Sequence, residues 1–314
     1  MPHRAPFVIA FLVLASPASA PAQQKPDPAP APKATADALD GPPFVSAKAW
    51  VVADGKTGKV LWGFIATEAR PMASTSKIMT AHLVLCLAAT DPKVLDEVIT
   101  FSDRADKTIG SSANLKAGEK VPVRELLYGL MLPSGNDAAT ALAEHFGERL
   151  GKSAEGDAVE KFVSAMNARA KELGLKELSY RDPHGLSREN VSSARDLAAL
   201  ARESMKDERF RHYVATRRHE YEVTTPDGGK RGVTWTNTNK LLDIEGYEGV
   251  KTGTTTPAGN CLVACGCRGE DRLIVVVLGS TATDGRYVDA RNLFRWAWCQ
   301  RGHKTAGADA GGKE

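Results

Sequence analysis

Ser74-Thr75-Ser76-Lys77-Ile78-Met79-Thr80-Ala81-His82-Leu83-Val84-Leu85-Cys86-Leu87 is the stretch around which the rest of the chain must be arranged. From Ile78 to Leu87 it is apolar nearly all round, which marks a buried helix rather than an amphipathic surface one. A lysine opening such a helix is costly, and a fold seldom keeps one without a use. Ser74 stands three residues earlier, and no other serine in the chain has a lysine three positions on. Residues three apart share a helix face, so the hydroxyl and the amine can meet. A serine beside its own base is an activated nucleophile. Taken alone the spacing is common, and its ordinary meaning is a helix cap followed by a solvated lysine.

The N-terminus reads as an export signal. His3 and Arg4 precede an apolar run from Phe7 to Ala15, and Ala18-Ser19-Ala20 has the small-x-small pattern of a cleavage site. That run is far short of the ~20 residues that span a bilayer, so residues 1–20 are expected to be a cleaved signal peptide and not an anchor. Residues 21–43 are rich in Pro and Ala and read as an extended spacer. One ordered domain is expected over 44–300, followed by a polar tail at 301–314 that offers no membrane anchor. With 41 Lys+Arg against 38 Asp+Glu the charge is nearly balanced, and no basic block points to nucleic acid. The expected location is outside the cytoplasmic membrane, periplasmic or otherwise extracytoplasmic.

Ala49 to Ala53 and Lys59 to Gly63 are strand-like runs joined by Asp54-Gly55-Lys56-Thr57-Gly58, a hairpin signature. Helical patterns follow at Val123 to Tyr128, Asn136 to Ala143, Phe162 to Asn167 and Asp196 to Ala201. Strand signals return after Lys251, at Cys261 to Cys267 and Leu273 to Leu278, and Asn292 to Trp298 closes as an apolar helix. This order predicts an α/β (α+β) fold: a sheet in which the two ends of the chain meet, flanked by helices, with a helical insert. Cys261, Cys265 and Cys267 share one face of a predicted strand, where core packing is the simplest reading. They are too poorly spaced for a metal site. A bridge from Cys265 or Cys267 to Cys299 is left open.

Two further motifs are needed to make Ser74 and Lys77 an acyl-transfer site. Ser134-Gly135-Asn136 sits in a bend between an apolar helix and an Ala-rich one, and Lys251-Thr252-Gly253-Thr254 leads toward the late strands. Each has an earlier double in this chain, Ser112-Ala113-Asn114 and Lys56-Thr57-Gly58. Order and context separate them. Lys56 to Gly58 is a hairpin tip placed before the serine, and Ser112 to Asn114 runs into another loop signal at Lys116-Ala117-Gly118.

Ser74-Thr75-Ser76-Lys77, Ser134-Gly135-Asn136 and Lys251-Thr252-Gly253 stand in the order and spacing of the serine penicillin-recognising enzymes, with a β-lactamase/transpeptidase-like fold. Within them the chain most resembles the low-molecular-mass penicillin-binding proteins that are D-alanyl-D-alanine carboxypeptidases. Pro183-His184-Gly185-Leu186 and Asn237-Thr238-Asn239-Lys240 add to the resemblance, which runs from about Phe44 to Gln300, with an all-helical insert as its expected middle.

The resemblance implies that Ser74 attacks the bond between two terminal D-alanines of a peptidoglycan stem peptide, with Lys77 as its base. Lys77 must then be neutral, and burial together with the nearby Lys251 is expected to depress its pKa. Ser134 would relay a proton to the leaving amine, and Asn136 would hold the substrate amide or orient Lys77. Lys251, Thr252, Gly253 and Thr254 would bind the terminal carboxylate, and the N–H groups of Ser74 and Thr254 would form the oxyanion hole. β-Lactams are implied as covalent inhibitors, and no cofactor is. His82 and His184 read as structural.

A class A β-lactamase carries a Glu-x-x-Leu-Asn segment for deacylation, and no Leu-Asn pair occurs here. A Ser-His-Asp hydrolase would carry a Gly-x-Ser-x-Gly elbow, also missing. A D,D-endopeptidase cutting crosslinks with the same site is the strongest rival. A module that only binds peptidoglycan is disfavoured by the intact Ser74, Lys77 and Lys251.

Overall fold

The computed structural model describes residues 41–151 and 155–303. The expected signal peptide, most of the linker and the chain beyond His303 lie outside them. β1 (Ala49–Asp54) and β2 (Val60–Phe64) form the expected hairpin. The Asp54 carboxylate closes its turn by accepting from the N–H groups of Lys56 and Thr57. β3 (Arg70–Pro71) and a 3-10 turn at Ala73–Ser76 lead into α1 (Lys77–Thr90).

The insert runs through β4 (Val98–Thr100), α2 (Asp103–Asp106), β5 (Lys120–Pro122), α3 (Val123–Met131), α4 (Asn136–Leu150) and α5 (Ala158–Glu172). It continues through β6 (Val191–Ser192), α6 (Ala194–Ser204), α7 (Glu208–Ala215), β7 (Arg218–Thr224) and β8 (Lys230–Thr236). β9 (Tyr247–Thr255), β10 (Gly259–Arg268), β11 (Asp271–Ser280) and α8 (Gly285–Gln300) follow.

The main sheet is antiparallel with strand order β2-β1-β11-β10-β9. β1 pairs with β11 from Ala49 opposite Leu278 to Asp54 opposite Leu273, so the two ends of the chain do meet. Alternation then divides the core. Val51, Val263, Ile274 and Val276 face the helical insert, whereas Val52, Leu262, Val275 and Val277 pack under α8. Every residue of α1 from Lys77 to Leu85 is buried, as its apolar circumference requires.

Three features depart from expectation. The insert is not wholly helical: β4, β5, β7 and β8 form a four-stranded antiparallel sheet. β7 (Arg-His-Glu-Tyr-Glu-Val-Thr) and β8 (Lys-Arg-Gly-Val-Thr-Trp-Thr) are largely polar and bury only Val223, Val233 and Trp235, so their apolar alternation is too short to stand out. Lys251 to Thr254 lies inside β9, at the edge of the main sheet, rather than before the strands. The tail also starts ordered, since Arg301 and His303 both bond the Asp271 carboxylate. All five cysteines are free thiols; Cys261 and Cys265 are core residues, and no bridge reaches Cys299.

Candidate active site

Ser74 sits in the 3-10 turn that precedes α1, so the α-helix begins at Lys77 and not at Ser74. In a 3-10 turn residues i and i+3 eclipse. The Ser74 Oγ and Lys77 Nζ are 3.1 Å apart as a result. Lys77 is fully buried and has two further neighbours, Asn136 Oδ1 at 2.7 Å and the His184 carbonyl at 2.8 Å. Both are acceptors only. A neutral amine has two protons and one lone pair, so two N–H bonds to those oxygens leave its lone pair for the Ser74 hydroxyl. Burial lowers the Lys77 pKa to about 7, while the Asp182 and Asp137 carboxylates work against the fall.

Asn136 opens α4, and its Nδ2 donates to the Ile109 carbonyl at 2.7 Å. That bond leaves Oδ1 facing Lys77. Ser134 precedes it with φ +68°, a left-handed conformation unusual for serine, and its buried Oγ has no hydrogen-bond partner among the described residues. Ala73, just before Ser74, is likewise left-handed at φ +50°. Non-glycine residues in that region carry strain of order 1–3 kcal/mol that the surrounding structure must hold.

β9 forms the opposite wall. A Cβ on Gly253 would come within 2.9 Å of the Ser74 nitrogen and 3.0 Å of the Met72 carbonyl, so only glycine lets the strand approach this closely. Lys251 is buried, and its Nζ donates to the Thr252 carbonyl at 3.1 Å. The Thr252 hydroxyl is 2.7 Å from that of Thr238. The Thr254 hydroxyl donates to Asn260 and accepts from Arg286 Nη1 at 2.9 Å. The three motifs therefore converge on one cleft, from the start of α1, the start of α4 and an edge strand.

Comparison with known proteins matches residues 36–282 to the Peptidase_S11 family model, described as D-alanyl-D-alanine carboxypeptidase. The chain belongs to that family. It is 37% identical over 263 residues to the D-alanyl-D-alanine carboxypeptidase of Streptomyces sp. (strain K15), covering 82% of this chain and 88% of that one. It is 36% identical to D-alanyl-D-alanine carboxypeptidase DacF of Bacillus subtilis, of whose length the match covers 62%. The crystal structure of the Streptomyces K15 DD-transpeptidase superposes with a TM-score of 0.75 at 36% identity, covering 82% of this chain and 99% of that chain. Penicillin binding protein 6B from Escherichia coli gives 0.70 at 32%, covering 82% and 78%.

Within this carboxypeptidase-family fold, several residues around the site were either not singled out by sequence or given no role in the chemistry. Arg286, buried at the start of α8, donates to the Gly253 carbonyl and to Thr254, and it stands 35 residues after Lys251 with no local signal. Asp137 accepts from Ser112 Oγ and from the Ala113 N–H, so the earlier Ser-Ala-Asn copy packs directly against Ser134-Gly135-Asn136. His184 is more than structural packing, because its carbonyl is a partner of Lys77. Burial alone would raise the Asp182 carboxyl, yet the His184 ring and the N–H groups of Gly185 and Ser187 hold it well below the usual carboxylate range. A Cβ on Gly185, at φ +92°, would collide with the Ala73 carbonyl.

Of the two expected causes of a low Lys77 pKa, burial leads and the repulsion from Lys251 is secondary. Burial, not Lys251, is the leading cause at Lys77, and the charges that act next are carboxylates that raise its pKa. Lys251 itself is pushed well down, first by burial, then by Lys77 and Arg286. The two amines repel one another, but Asp137 and Asp182 also stand near Lys77, whereas Lys251 has Arg286 as a second cationic neighbour.

Proposed function

We propose that this protein is a serine D-alanyl-D-alanine carboxypeptidase acting through an acyl-enzyme on Ser74. The observation that carries this reading is the buried Lys77 amine, 3.1 Å from the Ser74 hydroxyl and oriented by two acceptors. Lys77 takes the Ser74 proton as Oγ attacks the carbonyl carbon of the penultimate D-alanine. The C–N bond then breaks, and the leaving amine receives its proton through Ser134, whose hydroxyl has no partner among the described residues. Water attacks the ester, releases the shortened stem peptide and restores Ser74.

Lys251, Thr252 and Thr254 bind the terminal carboxylate, whose negative charge favours the charged form of the Lys251 amine that burial disfavours. Asn136 orients Lys77, and Gly253 brings β9 close enough for the Ser74 and Thr254 N–H groups to face the oxyanion. β-Lactams acylate the same serine. We further infer export from the signal-like residues 1–20, consistent with a family that acts on peptidoglycan.

Mass spectrometry after benzylpenicillin tests the mechanism: an adduct on Ser74 is expected, and an adduct elsewhere or none at all would overturn it. Incubation with free pentapeptide and with crosslinked dimer tests the substrate. Release of D-alanine from the former is expected, whereas cleavage of the dimer alone would make the protein an endopeptidase.

A further inference from the structure

Asp182 is a largely buried carboxylate for which the acylation scheme has no use. Its side chain is 17% exposed, and the backbone of its own loop closes around its charge. Oδ1 accepts from the N–H groups of His184 at 3.0 Å and Gly185 at 2.5 Å, and Oδ2 from that of Ser187 at 2.6 Å. Backbone N–H groups turned onto one anion form a nest, here filled by a side chain of the same loop. Gly185, at φ +92°, supplies the reversal that closes it. The carbonyls of the loop point the other way, and three in succession are met by donors. Asn190 Nδ2 donates to the Asp182 carbonyl at 2.9 Å, Thr80 Oγ1 to the Pro183 carbonyl at 2.5 Å, and Lys77 Nζ to the His184 carbonyl at 2.8 Å. Lys77 and Thr80 lie three apart on α1, so one helix face receives two consecutive carbonyls. The same Asn190 amide reaches Ser76 Oγ at 3.1 Å, in the turn between Ser74 and Lys77.

We propose that Asp182 is a positioning residue for the base: by folding its loop around its own charge it turns the His184 carbonyl onto Lys77 and holds the amine in reach of Ser74. The inference rests on the acyl-enzyme reading and extends it to a residue that never meets substrate. Burial alone would raise the Asp182 carboxyl, but the His184 ring, 3.1 Å away, and the loop N–H groups keep it ionised. Its charge therefore also acts on Lys77. Burial lowers the Lys77 pKa to about 7, and of the carboxylates that oppose the fall Asp182 comes before Asp137 on α4. Lys251 on β9 faces the same amine with the opposite effect. On the outer side of the loop, Arg104 and Arg181 are paired with Asp157 and Glu189, and Glu160 caps α5.

The test is the pH profile of Ser74 acylation by benzylpenicillin, from pH 5 to 9, in Asp182→Asn and Thr80→Val. Asp182→Asn keeps an acceptor for His184 and Gly185, sets an amide N–H against that of Ser187, and removes the charge. Loss of a carboxylate disfavours the ammonium, so the rise in rate should move about one unit to lower pH. The plateau should fall about tenfold as the His184 carbonyl leaves the amine. A carboxylate that served only to fold the loop would lower the rate without moving the midpoint. Either half missing in a folded Asp182→Asn, the shift or the fall, would overturn the proposal. Thr80→Val frees the Pro183 carbonyl but keeps the charge, so its plateau should fall while its midpoint stays. If Asp182→Asn does not fold, Thr80→Val decides, and a wild-type rate there would overturn the positioning of the loop. A wild type that forms no adduct on Ser74 would instead count against the acyl-enzyme reading, so the two failures are told apart.

Discussion

Asn136 and Lys77 form the hinge of the cleft: Asn136 Oδ1 lies 2.7 Å from Lys77 Nζ, while the other end of the same amide is tied to the Ile109 carbonyl. The amide cannot turn without losing that second bond. It therefore presents an acceptor to Lys77, and the amine's lone pair is left for Ser74. Asn136→Asp places a carboxylate at the same spot and favours the ammonium. Acylation by benzylpenicillin should fall about 10²-fold at pH 7, and the pH at which it recovers should move upward. A stopped-flow profile from pH 6 to 10 checks this; an unshifted profile would remove Asn136 from the control of Lys77.

In the wild type the same profile should rise through about pH 7 and level above it. Lys77 must be neutral to accept the proton, and burial has brought its pKa to about 7. A rate that falls across this range, or that rises only near pH 10, would contradict a neutral lysine base.

The depressed pKa also has a stability consequence. Between pH 7 and the ordinary lysine value of ~10.4 the unfolded chain holds a proton on Lys77 that the folded one does not, so folding stability rises with pH. Lys77→Met removes this contribution. The stability of the wild type relative to that variant should increase by up to about 1.4 kcal/mol per pH unit in that window, measured by urea unfolding at pH 7.5 and 9. The variant should lose about 10²–10⁴-fold in acylation rate.

Ser134→Ala separates chemistry from folding. The hydroxyl has no partner among the described residues, so its loss should leave stability within about 0.5 kcal/mol. D-Alanine release should drop about 10²-fold if the hydroxyl carries the leaving-group proton. Unchanged turnover would exclude that role.

Gly185→Ala should be destabilising by about 2–4 kcal/mol, because the new Cβ would stand 2.0 Å from the Ala73 carbonyl and the backbone there is left-handed. Gly253→Ala meets the Ser74 nitrogen at 2.9 Å and should cost less stability but displace the serine. Thermal unfolding and penicillin labelling of the two variants check the order.

How much of this was legible in the chain follows from what each feature depends on. The buried α1, the first hairpin, β10 with β11, and the Ser74, Ser134 and Lys251 motifs are local patterns, and order together with local context separated Ser134 and Lys251 from their earlier copies. β7, β8 and β9 left weaker traces, since polar or Gly- and Thr-rich strands owe their state to neighbours rather than to a period of their own. What surrounds Lys77 was legible only in part: burial and Asn136 were expected there, but the His184 carbonyl and the opposing Asp137 and Asp182 carboxylates were not. Its partners Asn136 and His184 lie 59 and 107 residues further on, and only tertiary packing brings them to the amine. The sequence by itself determined which groups could do chemistry. Tertiary structure decided their protonation and direction, because both depend on solvent exclusion and on hydrogen-bond geometry between segments distant in the chain.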